Sequence, residues 1–481
     1  MSENPSLVPC PLRSAALASP RAPAIIGDRG RISYAGLDAR VSAAENRLRE
    51  MGFSVGDRVA LYLPKGPDYV VLLLALIRAG IVACPVSTRL PPGGVAPLLR
   101  GAGCYDLISD TEALIGATDS GTKNLGTKDL IDDSPGAPPE PASPRDVPLD
   151  RPSTIVFTSG STGTPKAALH TFGNHYFNAL GSNENIALAP GDRWLHSLPL
   201  YHVGGLSILF RCLLAGATVA LPEPGVGLGE SVSKLGVTHV SLVSTQLRRL
   251  LDEGTVPSGL KAVLMGGGPI PPSLVDESLA RGGLPIHTSY GLTEMASQVT
   301  STPPGASRGE LRTAGRSLPY REVRVSEDGE ILVRGPTLFA GYLEGEIPKL
   351  PLDEEGWFHT GDLGEMDAGG RLAIVGRRDN MFVSGGENVQ PEEIEAALCR
   401  IEGVEEAVVV PVPDPEFGAR AVAFVRKGGR VGDLAQKLKK SLPGFKIPKA
   451  FHNWEGSGGM KPDRASLARR ARPARDAETE P

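Results

Sequence analysis

With 481 residues, 41% of them hydrophobic and 22% charged, the chain can bury a sizeable core and is expected to form more than one domain. A formal net charge of -5 with intermixed signs gives no reason to expect a nucleic-acid surface, so any anion chemistry has to be sought in local motifs. Cys10, Cys84, Cys104, Cys212 and Cys399 are scattered, odd in number and without the paired spacing of a zinc site, which makes a reducing cytoplasm the simplest setting.

The N-terminus shows no charged head followed by an apolar core, so no secretory signal is expected. The first hundred residues alternate helical stretches with short β-branched runs. Their most apolar stretch, residues 70–77, is followed by Arg78 and Gly80 and falls short of the roughly 20 residues a bilayer span needs. It reads as a buried helix, with no membrane insertion. A Pro- and acid-rich section, residues 132–150, then reads as a surface loop.

Thr154-Ile155-Val156-Phe157 has the pattern of a buried strand leading into TSGSTGTPK. Residues 238–243 and 262–265 are further strand candidates separated by helical sequence, which predicts a largely parallel α/β core. Asp328-Gly329 predicts a hairpin between the alternating runs 322–325 and 331–333. The pattern changes at Gly376-Arg377-Arg378-Asp379, which places a domain boundary between residues 1–378 and 379–481. In the smaller section, Pro391-Glu392-Glu393 suits the first turn of a helix with Ile394, Ala397, Leu398 and Ile401 on one face. Residues from about Pro473 onward read as disordered.

The segment from Thr158 to Lys166 combines hydroxyls, glycines that let backbone amides approach a ligand, and one cation, which are the parts of a phosphate cradle. Pro165 stands where the Walker pattern needs glycine, so it is not that loop. Tyr290 offers an aromatic face for a purine, and Thr293 and Glu294 place a hydroxyl and a carboxylate beside it, suited to a phosphate and a hard cation.

TSGSTGTPK resembles the signature loop of the adenylate-forming superfamily of acyl-CoA ligases, luciferases and peptide-synthetase adenylation domains. LPLYHVGG from Leu198, GGGP from Gly266, YGLTE from Tyr290, TGD from Thr360, GRRDN from Gly376 and SGGENVQPEE from Ser384 follow in the family's order. The resemblance covers nearly the whole chain. It implies a large N-terminal domain of mixed and parallel sheets with packed helices, and a small mobile α+β C-terminal domain.

The same resemblance implies ATP, Mg2+ and coenzyme A as partners of a small carboxylic acid. Thr158, Ser159, Gly160, Ser161, Thr162, Gly163 and Lys166 would hold ATP phosphates; Gly267, Gly268, Ser289, Tyr290 and Gly291 would also bind ATP, Tyr290 by stacking on adenine. Thr293 would touch the α-phosphate and Glu294 the metal; Asp362 would take the ribose hydroxyls, with Arg377 as its basic partner. Lys461, in GSGGMKPDR, matches the lysine that serves adenylation, and Asp379 matches the hinge. Gly385 and Gly386 match the segment that contacts the thiol arm of coenzyme A, and His202 the junction between acid pocket and thiol tunnel.

PKAALHT, YGLTEMASQVTS and RRDNMFVSGGENVQPEEIE narrow the resemblance to the ligases that convert o-succinylbenzoate to its CoA thioester in menaquinone biosynthesis. Arg211 and Ser241, with Gly268, would then line the acid pocket, Arg211 serving the unreacted carboxylate. Ligation of another aryl or medium-chain acid, loading of a carrier-protein thiol, and a non-catalytic binder remain alternatives, as does a homo-oligomer.

Overall fold

The computed structural model describes residues 6–111, 114, 123–131, 143–158, 165–254, 258–345, 347–428, 433–457 and 462–471. The apolar run becomes the helix Pro67–Ala79. Pro67 begins it where no amide partner is needed, Asp68 sits by the positive end of the helix dipole, and Gly80 ends it at φ 81°, a conformation a β-carbon would penalise. Every residue from Tyr69 to Ala79 is buried, so this is a core helix. Among the described residues no helix is long and apolar enough to cross a membrane.

Two large sheets carry the N-terminal section. In one, the strands Ile286–Leu292, Ala262–Met265, His239–Leu242, Arg193–Leu195, Thr218–Ala220 and Pro23–Gly27 lie side by side in parallel, with antiparallel strands at both edges. In the other, Pro152–Thr158 pairs in parallel with Val82–Pro85 and antiparallel with Lys166–Thr171. Helix Val203–Ala215 and helix Pro67–Ala79 share one apolar core that also takes in Tyr34, Trp194 and Phe210. The central strands His239–Leu242 and Ala262–Met265 are buried at every residue, as expected of parallel strands covered on both faces.

The motifs gather at the carboxyl ends of these parallel strands, the end where open α/β sheets bind ligands: Gly266 to Gly268 follow Ala262–Met265, and Ser289, Tyr290 and Gly291 end Ile286–Leu292. The expected hairpin forms, with Glu322–Val325 antiparallel to Glu330–Arg334 around Asp328-Gly329, and Gly329 takes φ 82°. These strands continue into Phe358–Met366 and Leu372–Arg377 as a four-stranded sheet.

One expectation needs correction. Residues 132–142 lie outside the described residues, but the end of that section is not loop: Asp146–Pro148 pairs with Leu7–Pro9, and Val147 is buried. A two-strand ribbon with one buried side chain on each strand, Val8 and Val147, leaves no periodicity to read, and flanking prolines disguise it. The stretch beyond Pro473 lies outside the described residues.

Residues 382–471 build their own sheets, and none of their described strands pairs with the earlier ones. Val404–Asp414 and Gly418–Lys427 form a long antiparallel pair, with Ala450–Asn453 added in parallel. The helix Pro391–Cys399 buries Ile394, Ala397 and Leu398 against Val409 and Ala423 as expected from their spacing, while Ile401 lies past the helix end and packs partly buried against the same cluster. Arg464 braces the helix Arg464–Ala471 by bonding both oxygens of Glu395 and the carbonyl of Val409.

Candidate active site

Thr158 closes one strand of an antiparallel pair and Lys166 opens the other, directly opposite it. Ser159, Gly160, Ser161, Thr162 and Gly163, between them, lie outside the described residues. Lys166 Nζ lies 4.9 Å above the ring of Tyr342, and the Tyr342 hydroxyl donates to Glu294 Oε1. Burial, with the nearby Glu294 charge, raises the Tyr342 pKa, so the phenol keeps its proton. Tyr342 belongs to no motif; the pairing of Gly341–Glu344 with Lys166–Thr171, Tyr342 opposite Ala168, brings it here.

Thr293 and Glu294 begin a 3-10 turn, Thr293–Met295, that is pinned at each residue. His170 Nε2 lies 2.7 Å from the Thr293 carbonyl, the amide of Phe339 donates to Glu294 O at 2.8 Å, and Asn178 Nδ2 donates to Met295 O at 2.9 Å. The next residue, Ala296, is left-handed at φ 55°, so the turn stops abruptly. Among the described residues no cluster of three or more His, Cys, Asp or Glu could hold a metal. A single carboxylate beside a hydroxyl nevertheless fits magnesium, which keeps water and phosphate oxygens as its other ligands.

At the other end of the cleft, the Tyr290 hydroxyl donates to Asp362 Oδ2 at 2.6 Å and Arg377 Nη1 donates to Oδ1 at 2.9 Å. The Tyr290 ring is largely buried beside Met295, Val299 and Phe339. Burial, then the Asp362 charge, raises its pKa and fixes it as a donor. Asp362 is presented by Thr360, whose hydroxyl bonds Ile331 O and the Asp362 amide, and by Glu330, which accepts from the Gly361 amide. Ser289 Oγ bonds Met265 O, which ties the Tyr290 strand to the Gly266 to Gly268 turn. Gly267 takes φ 78°, and Gly268 faces open space.

Arg211 lies in the helix Val203–Ala215 with 1% of its surface exposed. Its guanidinium stacks 5.1 Å above the Trp194 ring and donates to Gln298 Oε1 at 2.8 Å. The Trp194 indole N–H donates to Ser241 Oγ at 3.1 Å, so one tryptophan joins the two residues expected to line the acid pocket. Arg321 is buried nearby and donates to Asn178 O. Burial pushes both arginines down to about 9, and the Arg211 charge adds to the lowering at Arg321. Among the described residues neither arginine forms an ion pair, and Arg211 Nε and Gln298 Nε2 have no partner.

His202 is not part of that cluster. It precedes the same helix, nine residues and about 13 Å of helix rise from Arg211. Its ring packs edge-on to Tyr201 at 4.8 Å. Trp194, Gln298 and Arg321 were not legible as site residues, because each reads as ordinary core or turn sequence until the sheet assembles them.

In the smaller section, Gly385 and Gly386 form the turn between Phe382–Ser384 and Glu387–Val389 at φ 59° and 87°. The Gly385 amide bonds Phe417 O, and a β-carbon at Gly385 would fall 2.8 Å from the Phe417 ring. Asp379 lies in the 3-10 turn Arg378–Asn380 and accepts from Arg377 Nη2 at 3.2 Å. Lys461 lies outside the described residues.

Residues 12–343 match the family of AMP-binding enzymes, and residues 393–456 match the AMP-binding enzyme C-terminal domain. The 2-succinylbenzoate–CoA ligase of Bacillus licheniformis is 34% identical over 455 residues, 92% of this chain and 95% of the relative. The structure of o-succinylbenzoate CoA synthetase from Bacillus subtilis with the acyl-adenylate OSB-AMP superposes with a TM-score of 0.85 at 30% identity, covering 98% of this chain and 99% of that one. The same enzyme with ATP and magnesium gives a TM-score of 0.82 at 31% identity, covering 93% and 96%. The ordered motifs, the sheets that assemble them and these likenesses agree: this chain belongs to the AMP-binding enzyme family.

Proposed function

We propose that the protein is an ATP-dependent, AMP-forming ligase that converts o-succinylbenzoate to o-succinylbenzoyl-CoA. The first half-reaction joins the acid carboxylate to the α-phosphorus of ATP and releases diphosphate. In the second, the thiol of CoA attacks the acyl carbon and AMP leaves. An anion attacking another anion needs positive charge along the path, most of all where charge builds on the phosphorane and the leaving diphosphate.

Lys166 and the amides of the loop from Thr158 would take the β- and γ-phosphates, and Thr293 the α-phosphate. Asp362 would exchange its bonds with Tyr290 and Arg377 for bonds from the ribose hydroxyls. Magnesium, when bound, supplies charge neutralisation on the phosphates, and Glu294 would hold it. Lys461 would reach the reacting centre from the smaller domain during adenylation, and the Gly385-Gly386 turn would line the thiol path afterwards. The boundary at Asp379 would let that domain reorient between the two steps. His202, at the mouth of the helix that carries Arg211, would position the acid.

The observation that carries the choice of acid is the buried Arg211, held by Trp194 and Gln298 with no ion-pair partner among the described residues. A buried cation without a counter-charge is costly, and a substrate with a second carboxylate would supply one. CoA-dependent AMP release should be measured with o-succinylbenzoate and with a panel of aryl and medium-chain monocarboxylates. The highest kcat/KM is expected for the diacid. Preference for a monocarboxylate would overturn the choice of acid, and AMP release only with a carrier-protein thiol would overturn CoA as acceptor.

A further inference from the structure

His170 is fully buried in the strand Lys166–Thr171, and no step of the reaction uses it. Its Nε2 lies 2.7 Å from the carbonyl of Thr293, while Nδ1 has no hydrogen-bond partner among the described residues. A carbonyl only accepts, so Nε2 must carry the proton. His175 stands beside it, with ring centroids 5.2 Å apart, and spends its own Nε2 on Thr154 Oγ1 at 2.7 Å. Phe339 packs on the other side of the His170 ring at 6.3 Å, and the amide of that same Phe339 holds Glu294 O. The imidazole is therefore clamped in one orientation, with one donor aimed at one acceptor.

We infer that His170 is a positioning residue for adenylation: its Nε2–H fixes the turn Thr293–Met295, and so the Thr293 hydroxyl and the Glu294 carboxylate, relative to the strand that begins with Lys166. Three residues separate Lys166 from His170 on one strand, so the cation and the turn are held in register by a single element. A hydroxyl and a carboxylate that must meet ATP within tenths of an ångström gain from a second-layer bond of this kind. The assignment rests on the reading of Thr293 and Glu294 as phosphate- and metal-facing groups.

The test compares His170→Met, which fills similar volume without a donor, with His170→Gln, whose amide N–H reaches about as far. Three quantities are measured: the rate of acyl-adenylate formation, the dissociation constant of a nonhydrolysable ATP analogue with magnesium by calorimetry, and the melting temperature. His170→Met is expected to slow adenylation roughly fivefold and weaken analogue binding to a similar degree, as for one lost hydrogen bond of about 1 kcal/mol. His170→Gln is expected to restore both at an unchanged melting temperature. Equal behaviour of the two variants, or a loss of rate that only follows a fall in melting temperature with binding intact, would overturn the inference. Thr293→Ala serves as the reference. If it adenylates at the wild-type rate, the reading of Thr293 itself fails; if it is slow while His170→Met is not, only the role of His170 fails.

Discussion

Arg211 carries charge into a place where desolvation alone would expel it. A pKa pushed down to about 9 still leaves the guanidinium protonated at neutral pH, so the Trp194 face and Gln298 compensate only part of its lost hydration. A substrate carboxylate that completes the compensation should be missed when the cation is removed. Truncating one partner of a buried charged pair costs about 2–5 kcal/mol, so Arg211→Ala should raise KM for o-succinylbenzoate by a factor of tens or more. A matched aryl monocarboxylate should lose little. The two acids are compared on wild type and variant with ATP and CoA saturating; a similar loss on both would make Arg211 a prop of the fold. At this scale the sequence exposed residues whose chemistry is unusual for their surroundings, such as an arginine in LSILFRCLLAGA. It concealed Tyr342 and Gln298, whose roles depend on which strand lies alongside.

The strand Phe358–Met366 shows how one element presents a functional group through its neighbours. Asp362 sits at its middle, and Glu330 on the adjacent strand accepts from the Gly361 amide and from His359 Nδ1, both at 2.9 Å. Asp353 approaches the other nitrogen of His359 at 3.3 Å. The bond to Glu330, followed by the charges of Glu330 and Asp353, raises the His359 pKa above its ordinary value. A raised value means that the folded state favours the proton. The stabilisation is then complete below the ordinary histidine pKa of about 6.5 and is lost as pH rises through the higher folded value. Between about pH 6 and pH 9 the wild type should therefore lose more melting temperature than His359→Gln. The difference should be on the order of 1 °C, because His359 is half exposed and screened. Identical pH profiles would show that the pair contributes nothing. Elements of this kind were legible where turn chemistry marks them: Asp328-Gly329 announced its hairpin, and Pro391-Glu392-Glu393 its helix. The ribbon Asp146–Pro148 was not, since three residues cannot establish a period.

Across the whole molecule, the connector at Asp379 is gripped from both sides. Arg377 bridges Asp362 on one side and Asp379 on the other, while Arg378 donates to Asp328 at 2.5 Å and lies 3.4 Å from Glu330. From the smaller section, Gln390 Nε2 donates to Arg377 O at 3.0 Å and Asn380 Nδ2 to Glu392 Oε1 at 2.5 Å. These are a few polar contacts between exposed arginines and partly buried partners, few enough to be broken and remade if the smaller section reorients. What must change is the backbone of the connector itself. Proline at position 379 would fix φ near −65°, a value within the ordinary range of a 3-10 turn such as Arg378–Asn380. It would bar the wider excursions a domain rotation needs. If Lys461 and the Gly385-Gly386 turn serve successive half-reactions from one moving domain, Asp379→Pro must separate the two. Acyl-adenylate formation from acid and ATP, and thioester formation from supplied acyl-adenylate and CoA, should be timed separately. One should stay near the wild-type rate and the other fall by roughly tenfold or more, the gap expected when a conformational step is blocked and the chemistry is not. An equal fall in both would mean that the substitution damages the site they share, through Arg377 and Asp362, and that no rotation about Asp379 divides the reaction.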